Sequence, residues 1–391
     1  MNNYRIVYSV LLAGIILAPA QNLVALSETT NPLEIEIDQS DPLIPPGYKK
    51  RELSTFEINR IKREMDRLDR NANQELQQDE ANKAFKLWYR QLRLARAVGI
   101  ETEISALAKV GEIAWQTNRG EDLRNIANRL QMIESEIDLN SAPRELLEQF
   151  ATAYQQIRYS EQAIAIYRQI LSSDRARSNL AAVESNLKTL GELYLARFDY
   201  AQAAETYEEL LALVESQSQT DGKIDFLETL ADIYDRTAQT KLAIATKQSL
   251  IQSYTAADKT AKLAKLELAI ARDYQTLNRV QKATTAYNRA FSLAEQEQQI
   301  AIANDALMGL GRLYQEEGED KKAITTFKQV IEIQRQSYNY YGLIDTYDTL
   351  GKISLRSSQN KQAKQYFQQA LKLARELDYR INYFVSQIDK I

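Results

Sequence analysis

Apolar residues in this chain recur on two nested periods. Leu187, Leu190 and Tyr194 are spaced by three and four, and Ala203, Tyr207, Leu210 and Val214 follow at the same spacing. Each group lies on one face of a helix, so a pair of amphipathic helices is predicted. The longer period steps evenly through Val110-Gly111, Phe150-Ala151, Leu190-Gly191, Leu230-Ala231, Ile270-Ala271, Leu310-Gly311 and Leu350-Gly351. Ala163, Ala203, Ala243, Ala283, Ala323 and Ala363 superpose in the second helix, with Tyr167, Tyr207, Tyr287, Phe327 and Phe367 one turn later. The small residue lets the second helix approach the first, and the aromatic ring fills the remaining volume. One such hairpin cannot bury both apolar faces. A stack of hairpins can, so the expected class is an all-α solenoid.

The order of a large apolar residue, Gly or Ala, Tyr, Ala, an aromatic and Ala resembles the tetratricopeptide repeat (TPR) over residues 103–376. That resemblance implies a right-handed α-solenoid of TPR-like hairpins with a groove lined by first helices. The 40-residue period exceeds the usual 34, which predicts helices longer by about a turn and a half per repeat. Pro143 falls near a helix start, with Asn140 and Ser141 as candidate caps.

Around the array the composition changes. Residues 1–20 carry Arg5, the apolar run 6–17 and Ala18-Pro19-Ala20, the arrangement of a cleaved signal peptide, so export to the periplasm is expected. The run is shorter than the roughly 20 residues of a membrane span, and none is expected after cleavage. Residues 21–53, with Pro32, Pro42, Pro45, Pro46 and four acidic residues between 34 and 41, read as a disordered leader. A divergent hairpin is expected over 54–98, opened by the capping box Ser54–Glu57 and turning at Asn71-Ala72-Asn73. Seven repeats fill 99–376, and residues 377–391 read as a capping helix.

His and Cys are absent, which removes thiol nucleophiles, imidazole bases and nitrogen or sulfur metal ligands together. No glycine-rich phosphate loop occurs, so the chain reads as non-enzymatic with no required cofactor. Without residues 1–20 the balance is 48 basic to 53 acidic residues, a net charge of −5 that argues against a nucleic-acid surface.

One constellation stands out. Asp221, Asp225, Glu228, Asp232 and Asp235 are spaced four, three, four and three, a carboxylate stripe along one helix face. The TPR resemblance places all but Asp221 on the groove, together with Glu192, Glu112, Glu145 and Glu148. Asp225, Glu228 and Asp232 suit a hard cation such as Mn or Ca, or a basic peptide. Alternatively the stripe is a solvated face paired with Lys188, Lys265 and Arg272. Toward the C-terminus Lys265, Arg272, Arg312, Lys352 and Arg356 reach groove positions among Asp305, Asp345 and Asp348, so an extended ligand could be oriented by charge. The family's clamp for chaperone tails pairs Lys with Asn. Lys188 fits it, but Glu192 stands in the Asn place, so that function is not carried over. Tyr338, Tyr340, Tyr341 and Tyr347 cluster at one hairpin and read as core and inter-repeat packing, with an aromatic binding surface as the alternative, and Trp115 reads as a half-buried residue near the groove.

The expected function is an exported scaffold that holds a partner protein or extended peptide in its groove. The layout also resembles periplasmic TPR assembly factors of cyanobacteria, which implies photosystem II assembly on the D1 precursor with manganese delivery. A carboxylate-based divalent metal carrier and a general envelope assembly adaptor are the alternatives.

Overall fold

The computed structural model describes residues 31–33, 41–45, 51–217 and 222–391. The predicted signal peptide and Asp221 lie outside the described residues. Among the described residues there are α-helices, one short 3-10 turn and no strand. They divide into two compact units, Met1–Tyr159 and Ser160–Ile391.

The first unit contains α1 (Thr55–Gln77), α2 (Ala81–Val98), α3 (Ile100–Gln116), α4 (Gly120–Ser135) and α5 (Arg144–Gln156). The predicted capping box is in place: Ser54 Oγ accepts the Glu57 amide, and Glu57 returns a carboxylate oxygen to the Ser54 amide at 2.8 Å. Arg51 beside that carboxyl, followed by the Ser54 hydrogen bonds, holds its pKa at about 2. The turn expected at Asn71-Ala72-Asn73 does not occur, and α1 continues through it. Ala72 is buried, and the Asn73 amide bonds the Asp69 carbonyl one turn back, at 2.8 Å, so the asparagine is satisfied without breaking the helix. Trp88 is fully buried, meets Phe85 edge to face at 5.0 Å and donates Nε1 to Asp69 at 3.1 Å. At α5 the cap is Pro143 itself, while Ser141 turns to Asp138 instead.

The second unit contains α6 (Ser160–Ala176), α7 (Leu180–Ala196), α8 (Tyr200–Ser216), α9 (Lys223–Arg236), α10 (Thr240–Ala256), α11 (Leu263–Thr276), α12 (Val280–Gln296), α13 (Ile300–Glu316), α14 (Asp320–Gln336), α15 (Tyr340–Arg356), α16 (Asn360–Glu376) and α17 (Ile381–Asp389). Each helix packs on its neighbour in sequence, and the predicted contacts close the hairpins. Gly311 and Gly351 face Phe327 and Phe367, whose ring carbons would lie 2.8 and 2.6 Å from an added Cβ. Only glycine permits that approach.

Most of these helices share one length, and the turns between them are nearly identical. The repeat is thus built from two equal halves. At the described turns one residue adopts the left-handed conformation, as at Ser178, Phe198, Ala238, Asp258, Asn278, Gln298, Gly318, Tyr338 and Ser358. The amide that follows reaches back more than a full turn, as in Asp199 to the Tyr194 carbonyl at 2.9 Å and Arg279 to the Tyr274 carbonyl at 2.8 Å. This is a Schellman closure, usually made with glycine. Among these turns only Gly318 has one. A bulky residue there is strained, and the Phe198 ring is largely exposed. Phe198→Gly is therefore expected to stabilise the second unit by about 0.5–1 kcal/mol. Urea denaturation of the full chain checks this, and a loss of stability would contradict it.

Candidate functional site

The exposed face of the first helix of each hairpin carries the predicted binding positions. In the first unit, α3 and α5 enclose a groove of about 550 Å³ lined by Ser105, Lys109, Glu112, Glu145, Glu148 and Thr152, among others. Glu112, Glu145 and Glu148 are thus brought to one place, as expected from their register. Part of the charge is spent locally, because Glu148 pairs with Arg144 at 2.7 Å and Lys109 with Asp69 at 2.6 Å. Trp115, on α3, is about half exposed.

In the second unit the acidic stripe runs along α9, with Asp225, Glu228, Asp232 and Asp235 all exposed. Their neighbours differ from the expected Lys188, Lys265 and Arg272. Asp232 pairs with Arg236 one turn on, at 2.6 Å. Glu228 accepts from the Tyr254 hydroxyl and meets Lys262 at 3.4 Å. Burial first, and then the Glu228 bond, push the Tyr254 hydroxyl pKa up. Asp235 takes the ammonium of Lys247 at 2.6 Å. Asp225 makes no ion pair among the described residues. Lys188 instead bonds Glu184 at 2.6 Å and lies over the Phe226 ring. No group of three or more carboxylates comes together as a metal site among the described residues. Glu228 has turned to Tyr254 and Lys262, Asp232 to Arg236 and Asp235 to Lys247, each to a separate neighbour instead of to a common centre.

The mixed half is partly self-neutralised. Arg272 reaches Asp305 on the next first helix at 3.5 Å, and Lys352 bonds Asp348 at 3.0 Å. Asp348 is not a groove residue but is buried under α17, where Arg380 at 3.1 Å and the Tyr383 hydroxyl at 2.9 Å also donate to it. The sequence could not show this, because the donors lie far along the chain, at the start of the terminal helix. Arg356 pairs with Asp320 on α14 and so turns from the groove face. Glu192, Lys265 and Arg312 are exposed and make no ion pair among the described residues. Glu192 still acts at a distance: burial first, then its charge, raise the Tyr207 hydroxyl pKa. Together with Asp225 these residues leave two negative and two positive charges on the first-helix faces of α7, α9, α11 and α13.

Three of the four clustered tyrosines depart from the packing expectation. Tyr347 is buried and accepts from Arg335 at 2.8 Å, but Tyr338, Tyr340 and Tyr341 are exposed, with Tyr341 edge-on to Tyr379 at 5.3 Å. They sit at a turn and a helix start, where the apolar period does not apply.

One polar cluster escaped the sequence reading. Lys247 is 5 % exposed and bridges Asp235 at 2.6 Å and Asp273 at 2.7 Å. In register it occupies the aromatic position of Tyr207, Tyr287, Phe327 and Phe367, while Asp273 replaces Ile233, Leu313 and Ile353. The signal was there, as two coordinated departures from the same repeat on adjacent hairpins.

Residues 302–376 match the family model for the tetratricopeptide repeat. No curated protein matches the chain. Among solved structures, BtubC from P. vanneervenii is 18% identical over 57% of this chain and 91% of its own, with a TM-score of 0.39. Aspartyl phosphate phosphatase F from Bacillus subtilis is 15% identical over 73% and 77%, with a TM-score of 0.40. A signal-transduction ATPase with a tetratricopeptide repeat sensor from Pyrococcus horikoshii is 15% identical over 88% and 53%, also at 0.40. This chain carries tetratricopeptide repeats at residues 302–376, and the same helical hairpin recurs through its second unit.

Proposed function

We propose that the chain is a non-enzymatic scaffold that holds a partner protein or extended peptide along its first-helix faces. The observation that carries this reading is the set of exposed charges left without ion pairs among the described residues, negative at Glu192 and Asp225 and positive at Lys265 and Arg312. Charges in that order favour one direction of an extended ligand with a basic block and an acidic block, through encounter rate and register more than raw affinity. Asp232, Asp235, Glu228, Arg272 and Lys352 flank that track and tune it through their local pairs.

Export to the periplasm rests on residues 1–20 alone, and action on the D1 precursor in photosystem II assembly on a layout that resembles the processing-associated TPR protein PratA. For manganese delivery the supporting feature is carboxylate density on α9, without a converged ligand set among the described residues.

The test replaces Asp225, Glu228 and Asp232 with Asn, Gln and Asn in one full-length variant. Binding of two labelled peptides, Lys-rich block first or Glu-rich block first, is read by anisotropy, with Mn²⁺ titrated in parallel. Exposed pairs such as Asp232–Arg236 are worth about 0–1 kcal/mol, so melting should barely move. At least a tenfold loss for one peptide order is expected. A variant that melts several degrees lower yet binds both peptides as before would remove the stripe from the binding surface.

A further inference from the structure

The predicted disordered leader is not free where it is described. Leu33 and Ile44 are 1 % and 5 % exposed, in the first unit. Four arginines from α1 and α2 hold the chain around them. Arg60 donates to the carbonyls of Pro42 and Leu43 at 3.3 and 3.2 Å, Arg93 to that of Pro32 at 3.5 Å, and Arg96 to that of Leu33. Arg90 pairs with Asp41 at 3.0 Å. Asn31 adds a bond to the Asn125 carbonyl on α4 at 3.3 Å.

Two of these donors, Arg90 and Arg96, are fixed in advance by partners of their own. Arg90 is shared with Glu64 at 2.9 Å. Arg96 is held by Glu103 at 3.1 Å, and the buried Glu103 is in turn gripped by Arg129 at 2.6 Å. The leader segments are pre-turned as well, since Asn31 Oδ1 accepts the Leu33 amide and Asp41 Oδ1 the Leu43 amide. Most of the grip is on backbone carbonyls, which any extended chain presents. The fit is also incomplete, because Arg60 Nε is buried without a hydrogen-bond partner.

We propose that the arginine-bearing face of α1 and α2 is a receptor for an extended segment, and that residues 31–33 and 41–45 occupy it in cis as a displaceable strap. Recognition combines two aliphatic anchors, a carboxylate shortly before the second of them, and carbonyls read by guanidinium groups, of which Arg96 is held in place by Glu103. A partner segment with that chemistry would enter by displacing the strap. This face is separate from the first-helix grooves, so the inference does not rest on the scaffold reading.

The probe is a labelled synthetic peptide of residues 29–47, and the protein is the full chain. With Leu33→Asp and Ile44→Asp together, the strap loses both anchors, and the variant is expected to bind the peptide at least tenfold more tightly than the wild type, whose face is filled. Adding Arg90→Ala and Arg93→Ala should abolish that binding. Equal binding by wild type and variant, or none by a variant whose circular dichroism and melting remain native, would overturn the proposal. Hydrogen exchange of the wild type gives an independent reading even if the variant does not fold. The amides of Leu33, Leu43 and Ile44 should be protected at least tenfold over free peptide, and Arg93→Ala should lower that protection. Unprotected amides would also overturn it.

Discussion

Lys247→Met is expected to destabilise the second unit by about 3 kcal/mol, the range for removing one member of a buried ionic cluster. The ammonium is 5 % exposed between Asp235 and Asp273, and methionine would leave the two carboxylates facing each other. Asp235 is 46 % exposed and can hydrate, so the cost falls mainly on Asp273. Burial raises the Asp273 pKa above its ordinary value, and Lys247 pulls it back down. A carboxyl raised in the folded state favours folding below its unfolded value and loses that contribution as pH rises through the folded one. Without Lys247 the folded value climbs further. The defect should therefore be largest near pH 7 and shrink as the pH falls toward about 4. Restoring the repeat's own residues with Lys247→Phe and Asp273→Leu should instead match or exceed wild-type stability, as exchange of buried ionic groups for apolar ones often does. Urea denaturation at two pH values checks all three statements. A loss below about 1 kcal/mol for Lys247→Met would mean the cluster is hydrated.

Tyr234→Ala should cost about 3–5 kcal/mol, the usual range for truncating a buried aromatic. The ring is 3 % exposed on α9, and its hydroxyl donates to Glu208 on α8. Tyr234→Phe should lose only about 1 kcal/mol, since Glu208 can turn to water once the hydroxyl is gone. Because hairpins in an array unfold semi-independently, the loss is best read by hydrogen exchange of the α8 and α9 amides. If protection elsewhere in the unit falls equally, the ring serves global rather than local packing. An unchanged exchange pattern at α8 and α9 would contradict the core assignment.

The hairpins were legible in the sequence because their cause is local. Leu190, Gly191, Tyr194, Ala203 and Tyr207 fix helix faces and approach distance within one repeat, and repetition multiplies the signal. The binding face was legible only in part. Register places Glu192, Asp225, Lys265 and Arg312 on first helices, but which charges stay unpaired depends on rotamers and on distant segments. Arg380, for instance, removes Asp348 from the surface, and Arg236 answers Asp232 where Lys188 was expected. The leader misled for a related reason. Prolines and acidic residues describe what a segment cannot build alone, and they are silent on whether four arginines elsewhere will hold it.

The equal halves of the repeat constrain how such a chain can change in length. From α11 to α16 the described helix ends present the same turn, so excising one whole repeat between, for example, Gln299 and Tyr340 would join two equivalent positions and preserve which face each later helix turns to its neighbours. Excising a single helix with its turn would join equally well-formed ends while exchanging the roles of first and second helices downstream, setting bulky aliphatic side chains such as Leu211, Ile331 and Leu371 where glycine is needed. Growth and loss in this architecture are thus quantised in pairs of helices, although its backbone repeats at every single one.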